Sequence, residues 1–483
     1  MNGERCGDGV WAAVGPGAAL AAGLLLRLWF IRHLATVEGD SLIYGAIAKN
    51  WLQHGVYGFG HMDVSPGVTA VRPTLIRLPG YPIFLAACFR VFGMENYRAA
   101  MYVQAAADLW TCWLASAVAG RIFGRRAGLV VLWLAALCPF TANYAAAPLT
   151  ETLVLTTIAL ALYGFVRWQD AGAGYNRWLW VVAAALGYSI LLRPDQGLLA
   201  AAVVPAMVWR AFAGRGGKGS ALRAVSPVLA MALCAVLPLA PWTVRNWRTF
   251  HVVQPLAPRY ANDPGEAPPR GFARWYRTWA IEFASTDEVY WGYNGERIEI
   301  NDLPIRAFEV GSPQADAALR GRTAALLADY NAITTGTPQI EARFAALAAE
   351  RIRVHPLLYY VGLPVARTVD MMVRPRVEMM NVPDEWWSDA VPRAKRVFAA
   401  AYAALNLAYL ALACVGFFAW RRRGRLSFDG VPFAGLAYAM AGFVLLRTAL
   451  LLTLDNSEPR YTLEFFPVML VFAGALFAAR DAG

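Results

Sequence analysis

Charged residues are scarce in this chain. Of its 483 residues only 16% are Asp, Glu, Lys or Arg, whereas 58% are hydrophobic, and the mean hydropathy is +0.40. This composition excludes an ordinary soluble enzyme. The charges are also divided among many apolar segments, which excludes a soluble domain with a single membrane anchor. The sequence therefore predicts a polytopic membrane protein.

Nucleotide and metal motifs are missing as well. The sequence has no Walker A motif, no GxGxxG after a strand pattern and no HExxH, and its six cysteines lack metal-ligand or disulfide spacing. These absences exclude an ATP-driven pump or a nucleotide-binding enzyme. The net charge of +11 comes from short basic clusters between apolar runs, which is typical of cytoplasmic loops. Nucleic acid is therefore not expected as a partner.

Long apolar runs are abundant. A spanning helix needs about 20 mostly apolar residues, and the first run is interpreted as an uncleaved signal anchor. Ten spans are predicted, at residues 10–34, 97–123, 127–144, 152–168, 178–192, 197–212, 224–242, 397–420, 432–452 and 463–479. With the N-terminus inside, the basic clusters fall on the cytoplasmic side. Arg27 opposes this rule near the outer end of the first span, and we expect its side chain to snorkel to head groups.

Two shorter apolar segments, 79–93 and 355–372, are interrupted by Pro or Arg and are predicted to lie in or partly enter the outer leaflet. The predicted organisation is then a membrane core at 1–256 that includes the first outer loop (35–96), an outer-face region at 257–396, and C-terminal spans at 397–483. The outer-face region contains "RWYRTWAIEF" and "VYWGYN", whose aromatic rings are expected to anchor at head groups or to stack on sugars, and an amphipathic stretch suited to the interface.

The first outer loop begins with two carboxylates, Glu38 and Asp40. Asp40 has two interpretations: it caps a helix that starts near Ser41, or it is a general base at the membrane surface. Downstream, apolar and aromatic residues including Tyr44 recur at helical spacing, which predicts a short interfacial helix. Such a helix would hold the carboxylate in place.

Further polar candidates stand at the outer ends of predicted spans. Glu151 opens the fourth span, where either the helix macrodipole or a functional site explains an acidic residue. Arg460 and Tyr461 precede the last span, and the planar fork of arginine suits a lipid phosphate. Arg193 and Arg245 are further candidates for binding a donor phosphate or anchoring at the interface.

The order of several short motifs resembles the GT-C membrane glycosyltransferases, in particular the bacterial proteins similar to dolichyl-phosphate-mannose protein mannosyltransferases and to the lipid A aminoarabinose transferase. The similarity covers residues 10–256 and 397–483. The motifs are "EGDSLIYGAIAKNWLQHGVYG", "RLPGYPIFLAACFRVFG", "PLTETLVL", "LLRPDQGLL", "APWTVRNW" and "EPRYTLEFFPVML".

The resemblance implies an all-α GT-C fold and an inverting transferase. Its donor would be a sugar on a polyprenyl phosphate, and its acceptor a hydroxyl of a lipid, glycan or protein. In that family the acidic residue of the first outer loop is the base or activates the acceptor, and it maps to Asp40. Glu151 would orient the acceptor or help to hold a divalent cation, and Arg460 would face the donor phosphate. Acceptor or interfacial positions would be Tyr44, Tyr57 and Tyr81.

Several alternatives stay open at this stage. Gly39 separates Glu38 from Asp40, so either carboxylate is a candidate base. No cofactor is required by the sequence, although a divalent cation is possible. The expected location is the bacterial inner membrane, with several spans and the active site on the periplasmic or extracellular side. The rival function is a transporter or flippase of lipid-linked sugars, which predicts inverted repeats that the sequence does not display.

Overall fold

A computed structural model describes residues 4–60, 71–213, 221–422 and 433–478, with only the backbone described for 4–14. Within these ranges most residues are helical. The helices are α1 (Glu4–His33), α2 (Asp40–His54), α3 (Gly80–Phe92), α4 (Tyr97–Phe123), α5 (Arg125–Ala136), α6 (Pro139–Tyr144), α7 (Glu151–Asp170), α8 (Arg177–Leu192), α9 (Gly197–Ala213), α10 (Ala221–Val236), α11 (Leu239–Phe250), α12 (Arg270–Tyr276), α13 (Phe283–Ser285), α14 (Pro313–Asn331), α15 (Pro338–Val354), α16 (Leu363–Val373), α17 (Arg393–Arg422), α18 (Ala434–Leu451) and α19 (Phe466–Gly474).

One short hairpin accompanies the helices. Strands β1 (Gly58–Gly60) and β2 (Val71–Pro73) pair antiparallel, with Gly58 opposite Pro73. A side chain at Gly58 would meet the carbonyl oxygen of Arg72 at 1.8 Å, so the close approach of the two strands requires glycine there. The hairpin pairs two segments within the loop that connects α2 to α3.

The prediction of an all-α polytopic membrane protein is confirmed. Among the residues that the structure describes, six helices are long and apolar enough to cross a membrane: Glu151–Asp170, Pro194–Ala213, Ala221–Phe250, Arg393–Arg422, Ala434–Leu451 and Pro459–Phe477. Each overlaps one of the ten predicted spans. The span predicted at 127–144 differs, because the chain there forms two helices, α5 and α6. Pro139 opens α6, and proline has no N–H with which to continue a preceding helix.

The segment predicted to lie at the interface over 79–93 forms α3, which has 13 residues. At ~1.5 Å per residue such a helix is too short to cross the hydrocarbon core. Its first residue, Gly80, packs against the end of α8, where a side chain would meet the backbone of Leu191 at 2.5 Å. Tyr188 of α8 also donates a hydrogen bond to the carbonyl of Gly80. These contacts hold the beginning of α3 against α8.

The chain divides into two compact units. The first unit comprises residues 1–264, 408–446 and 463–483, and the second comprises 265–407 and 447–462. In the first unit, α4 lies against α5 and α7, and α7 lies against α8. Arg27 of α1 is fully buried and donates to Asp108 of α4 at 2.8 Å and to the carbonyl of Ala136 at 2.7 Å. The expectation that Arg27 snorkels is therefore wrong, because a buried carboxylate and a carbonyl satisfy its donors instead.

The second unit is built around an aromatic core from α12, α14 and α15. Phe272 stacks on Tyr293 with ring centroids 3.8 Å apart, and Phe344 of α15 packs edge-on against Phe272. Other buried rings of this core are Trp275, Tyr276, Trp279 and Tyr330. These rings were expected to anchor at head groups or stack on sugars. That expectation is wrong for the buried ones, because the amphipathic helix α15 turns its apolar face onto them and encloses them in the core.

Candidate active site

Asp40 is the first residue of α2, and Gly39, with φ of +50°, occupies the cap position. The capping interpretation of Asp40 is therefore not realised, since its carboxylate turns to Arg77 instead. Arg77 Nη2 lies 2.6 Å from Asp40 Oδ1, and the two side chains are 20% and 22% exposed. Helix α2 forms as predicted, with Tyr44 and Ala48 buried on one face. It holds a charged, partly accessible carboxylate at its beginning.

Glu38 lies two residues before α2 and is exposed. Its backbone carbonyl accepts a hydrogen bond from Ser41 N, which steadies the start of the helix. Between the two candidate carboxylates, Asp40 is thus the one held by a guanidinium, whereas Glu38 faces solvent.

A second group of charges surrounds Arg193, which follows the end of α8. Its guanidinium lies 3.0 Å from Glu151, 3.3 Å from Asp195 and 3.5 Å from Glu464. Glu151 and Glu464 are both buried, and Gln196 donates to the carboxylate of Glu464. Glu151 also opens α7, where the partial positive charge of the helix terminus favours a carboxylate. One arginine therefore ties together the beginning of α7, the end of α8 and the beginning of the last helix.

Tyr44 lies between these two groups. Burial raises its pKa to about 12, and the charges that act on its hydroxyl are those of Arg77, Asp40, Glu151 and Arg193. The Tyr44 and Arg77 side chains also contact each other, with the guanidinium 5.8 Å from the ring centre. The charges of three residues of the sequence prediction, Asp40, Glu151 and Arg193, therefore act on the hydroxyl of a fourth, Tyr44.

Tyr81 of α3 packs edge-on against Tyr44, with ring centroids 5.0 Å apart. Its hydroxyl donates to the side-chain oxygen of Gln104 on α4, and Gln104 in turn donates to the carbonyl of Ala147 at 2.8 Å. Tyr81 is fully buried, and its surroundings include the charge of Glu151. Tyr81 thus packs against Tyr44 and connects α3 to α4.

Arg245 of α11 contacts Tyr57, which lies in the loop between α2 and α3. Arg245 of α11 donates to the carbonyls of Thr74 at 2.6 Å and Tyr57 at 2.8 Å, and its guanidinium packs on the Tyr57 ring. Tyr57 donates to the carbonyl of Arg77 at 3.0 Å. These bonds give both residues a part in holding the loop that carries Arg77. Phosphate binding by Arg245 stays a prediction.

Arg460 and Tyr461 belong to the second unit. Arg460 forms an ion pair with Glu458, and its guanidinium lies 5.8 Å from the centre of the Tyr461 ring. The backbone of this segment is held from two sides: Arg447 donates to the Tyr461 carbonyl and Arg376 to the Pro459 carbonyl. The segment is therefore well defined within its unit, and binding of the donor phosphate by Arg460 stays a prediction.

Sequence reasoning missed three residues of the first-unit site: Arg77, Glu464 and Gln104. Arg77 and Glu464 stand inside the motifs "RLPGYP" and "EPRYTLEFF", and a charge that immediately flanks an apolar helix is the signal that could have drawn attention to them. Gln104 lies in the middle of a predicted span, where a polar side chain has to find a partner. No periodic pattern indicates which carboxylate or hydroxyl each one contacts.

A divalent cation stays a prediction. Among the described residues, no group of three or more His, Cys, Asp or Glu side chains is arranged to hold a metal ion. Two carboxylates of the site, Glu151 and Glu464, share the guanidinium of Arg193.

Comparison with known proteins shows that part of the chain resembles a known family. Residues 72–243 match the family described as dolichyl-phosphate-mannose-protein mannosyltransferase. No curated protein matches the chain by sequence. The matched residues include Arg77, Tyr81, Glu151 and Arg193.

Solved structures with a similar backbone include two structures of the archaeal oligosaccharyltransferase of Archaeoglobus fulgidus. One is tethered to an acceptor peptide (TM-score 0.48, 11% identity, 96% of this chain and 49% of that chain), and the other is in complex with an inhibitory peptide and a dolichol-phosphate (0.48, 12%, 96% and 50%). This chain thus spans about half the length of that enzyme. ArnT from Cupriavidus metallidurans bound to undecaprenyl phosphate also matches (0.37, 16%, 97% and 78%). The family match over residues 72–243 confirms the resemblance to the GT-C glycosyltransferases that the motifs predict.

Proposed function

We propose that this protein is an integral membrane glycosyltransferase that moves a sugar from a polyprenyl phosphate to a hydroxyl acceptor on the extracytoplasmic face. The acceptor hydroxyl loses its proton to the carboxylate of Asp40, and its oxygen attacks the anomeric carbon of the sugar. The bond between that carbon and the phosphate oxygen breaks, and polyprenyl phosphate leaves with the bonding electrons. Attack from the face opposite the leaving group inverts the anomeric configuration.

The observation that carries the proposal is the pairing of Asp40 with Arg77 at the start of α2. A proton acceptor has to be charged, accessible and held in place, and Asp40 is about one-fifth exposed with its carboxylate 2.6 Å from a guanidinium. Glu151 has a different role because it is buried against Arg193. It maintains the arrangement of Tyr44 and Tyr81 on the acceptor side of the site.

The phosphate that leaves carries the developing negative charge, and arginine is the side chain best suited to stabilise it. Arg193, whose charge acts on Tyr44, is the candidate in the first unit, and Arg460 is the candidate in the second unit. The structures of ArnT with undecaprenyl phosphate and of the oligosaccharyltransferase with a dolichol-phosphate suggest the class of donor. The family matched by residues 72–243 supports mannose as the sugar that is transferred.

The decisive experiment is a transfer assay with the full chain in nanodiscs. Synthetic polyprenyl-phosphate sugars with radiolabelled sugar are incubated with membrane lipid extract as acceptor, with and without a chelator. We expect Asp40→Asn to lower the transfer rate about 100-fold or more while the protein remains folded. The matched control is Glu38→Gln, an exposed carboxylate two residues away, which we expect to retain the wild-type rate.

The result distinguishes between the two candidate bases, Asp40 and Glu38, and also tests the proposed function. Equal rates for the wild type and Asp40→Asn would remove Asp40 from the chemistry, and loss of transfer in Glu38→Gln alone would assign the base to Glu38. Absence of transfer from every donor would contradict the proposed function. Nuclear magnetic resonance of the product's anomeric proton tests inversion, and an assay in proteoliposomes of known orientation tests the face on which transfer takes place.

A further inference from the structure

A polar side chain, that of Gln104, lies fully buried inside the apolar helix α4. A buried amide is costly unless other groups of the protein bond to it. The side-chain nitrogen of Gln104 donates to the carbonyl of Ala147 at 2.8 Å and, at 3.5 Å, to that of Tyr144. Its side-chain oxygen accepts a hydrogen bond from the hydroxyl of Tyr81. Both ends of the amide are therefore bonded, and each end contacts a different part of the chain.

The chemistry of these partners fixes the orientation of the Gln104 amide. A backbone carbonyl can only accept, so the amide nitrogen has to face Ala147, which leaves the oxygen for Tyr81. A half-turn of the amide would bring two oxygens together at Ala147. Burial raises the pKa of Tyr81 well above its ordinary value, so its hydroxyl keeps the proton that it donates. Gln104 thus connects α3 to the turn between α6 and α7 in one defined arrangement.

The turn that Gln104 contacts also holds the start of the first outer loop. The carbonyl of Ala146, one residue before Ala147, accepts a hydrogen bond from the backbone N–H of Thr36 at 3.2 Å. Thr36 stands four residues before Asp40, the first residue of α2. The bond from Gln104 therefore steadies a turn to which the chain is attached just before the candidate base.

Two further connections lead from Gln104 to the candidate active site. The turn continues into α7, whose first residue is Glu151. On the other side of the amide, the ring of Tyr81 packs edge-on against that of Tyr44, with centroids 5.0 Å apart. Tyr44 lies one helical turn after Asp40 on α2, so the two side chains project from the same face of that helix. The contacts of Gln104 thus lead to both carboxylates.

We propose that Gln104 is a positioning residue of the transfer reaction. Through Tyr81 it holds the face of α2 that carries Tyr44, and through the turn before α7 it holds the segments that carry Asp40 and Glu151. This inference rests on the proposed function, because the arrangement matters only if Asp40 is the base. Gln104 acts through these residues rather than on the substrate. Loss of its bonds should therefore slow the chemical step more than it weakens donor binding.

Transfer kinetics of the full chain in nanodiscs test the proposal. Gln104→Met keeps a side chain of similar volume but removes both sets of hydrogen bonds. We expect kcat to fall about tenfold while KM for the polyprenyl-phosphate sugar changes less than about twofold. Tyr81→Phe removes only the hydroxyl and should lower kcat by a smaller factor. Added to Gln104→Met, it should cause no further fall, because the bond that it breaks is already absent.

The matched control is Thr111→Val, which removes a buried hydrogen bond from α4 to Thr156, seven residues further along the helix. This variant should leave kcat unchanged. Hydrogen–deuterium exchange supplies a measurement that needs no activity. Gln104→Met should speed amide exchange in peptides that cover residues 36–44 and 144–151, whereas Thr111→Val should leave the exchange of both unchanged.

Four results would overturn the proposal. They are unchanged exchange in both segments of Gln104→Met, an unchanged kcat despite faster exchange, an equal fall of kcat in Gln104→Met and Thr111→Val, and independent losses that multiply when Tyr81→Phe is added. Absence of transfer by the wild type would instead contradict the proposed function. The exchange measurement would still decide whether Gln104 holds the two segments, since faster exchange supports that role and unchanged exchange contradicts it.

Discussion

Two carboxylates of the first unit and one of the second differ in the charges that face them. In the first unit Asp40 lies 2.6 Å from Arg77, and Glu151 lies 3.0 Å from Arg193. In the second unit Asp384 lies near Asp287, and burial followed by this like charge raises the pKa of Asp384 to about 6. Pairing with arginine keeps a carboxylate charged and oriented, whereas crowding with another carboxylate favours the protonated form. An arginine neighbour thus orients the carboxylates of Asp40 and Glu151, whereas burial and a like charge disfavour the ionised form of Asp384.

The largest effect on folding is expected from the buried pair of the first unit. Glu151→Ala leaves Arg193 with Asp195 and Glu464 but removes its nearest partner, and breaking a buried pair costs about 3 kcal/mol. We expect a clear fall in melting temperature in detergent. The control is Glu38→Ala, which changes an exposed carboxylate and should leave the melting temperature unchanged. An unchanged melting temperature in Glu151→Ala would contradict a scaffolding role for the pair.

The next largest effect is expected from the partner of Asp40. Arg77→Gln removes the guanidinium that orients the carboxylate, and we expect kcat to fall by up to about 100-fold with little change in KM. Arg77→Lys keeps the charge without the planar fork and should recover part of the rate. Measurement of kcat and KM for both variants checks this positioning role. Equal loss in the two variants at a raised KM would point to substrate binding instead.

A smaller effect of opposite sign is expected in the second unit. The pKa of Asp384 is about 6 in the folded protein, whereas its ordinary value is 3.8. Its ionisation therefore lowers the stability of the folded protein as the pH rises from about 4 to about 6. Asp384→Asn removes this loss. At pH 7 it should stabilise the protein by about 1 kcal/mol after allowance for partial exposure.

The gain in Asp384→Asn should disappear below about pH 4, where both the folded and the unfolded wild type are protonated at this position. Melting temperatures measured between pH 4 and pH 8 test this dependence. Asp389→Asn is the control, because the Asp389 side chain is fully exposed. A pH-independent difference between Asp384→Asn and the wild type would show that Asp384 acts through its contacts rather than its charge.

The smallest effect is expected from Tyr44. Burial raises the pKa of its hydroxyl to about 12, so this group stays protonated throughout the pH range of a transfer assay. Tyr44→Phe should therefore leave the pH dependence of transfer unchanged up to about pH 10, whatever it does to the rate. A pH profile of kcat/KM for the two proteins provides the test. A shift of its alkaline limb in the variant would identify Tyr44 as a titrating group.

Much of the fold was predictable because hydrophobic periodicity and segment length are local properties. The sequence predicted α2 from apolar and aromatic residues at helical spacing after Asp40, and it predicted α3 as a segment too short to span. It also indicated where polar groups interrupt the apolar runs, so Asp40, Glu151 and Arg193 were candidates before the structure was known. The aromatic residues of the second unit were misjudged, because the same aromatic composition serves an interface or a core.

The sequence by itself determined the membrane class, most of the helices and the identities of the charged residues at the helix ends. Only the tertiary structure decided the partners: Arg77 for Asp40, Glu464 for Arg193, and Asp108 for Arg27. The physical reason is that an ion pair depends on distances of a few ångströms between residues that are tens to hundreds of positions apart. Such distances follow from how helices pack, whereas periodicity reports only which face of each helix is apolar.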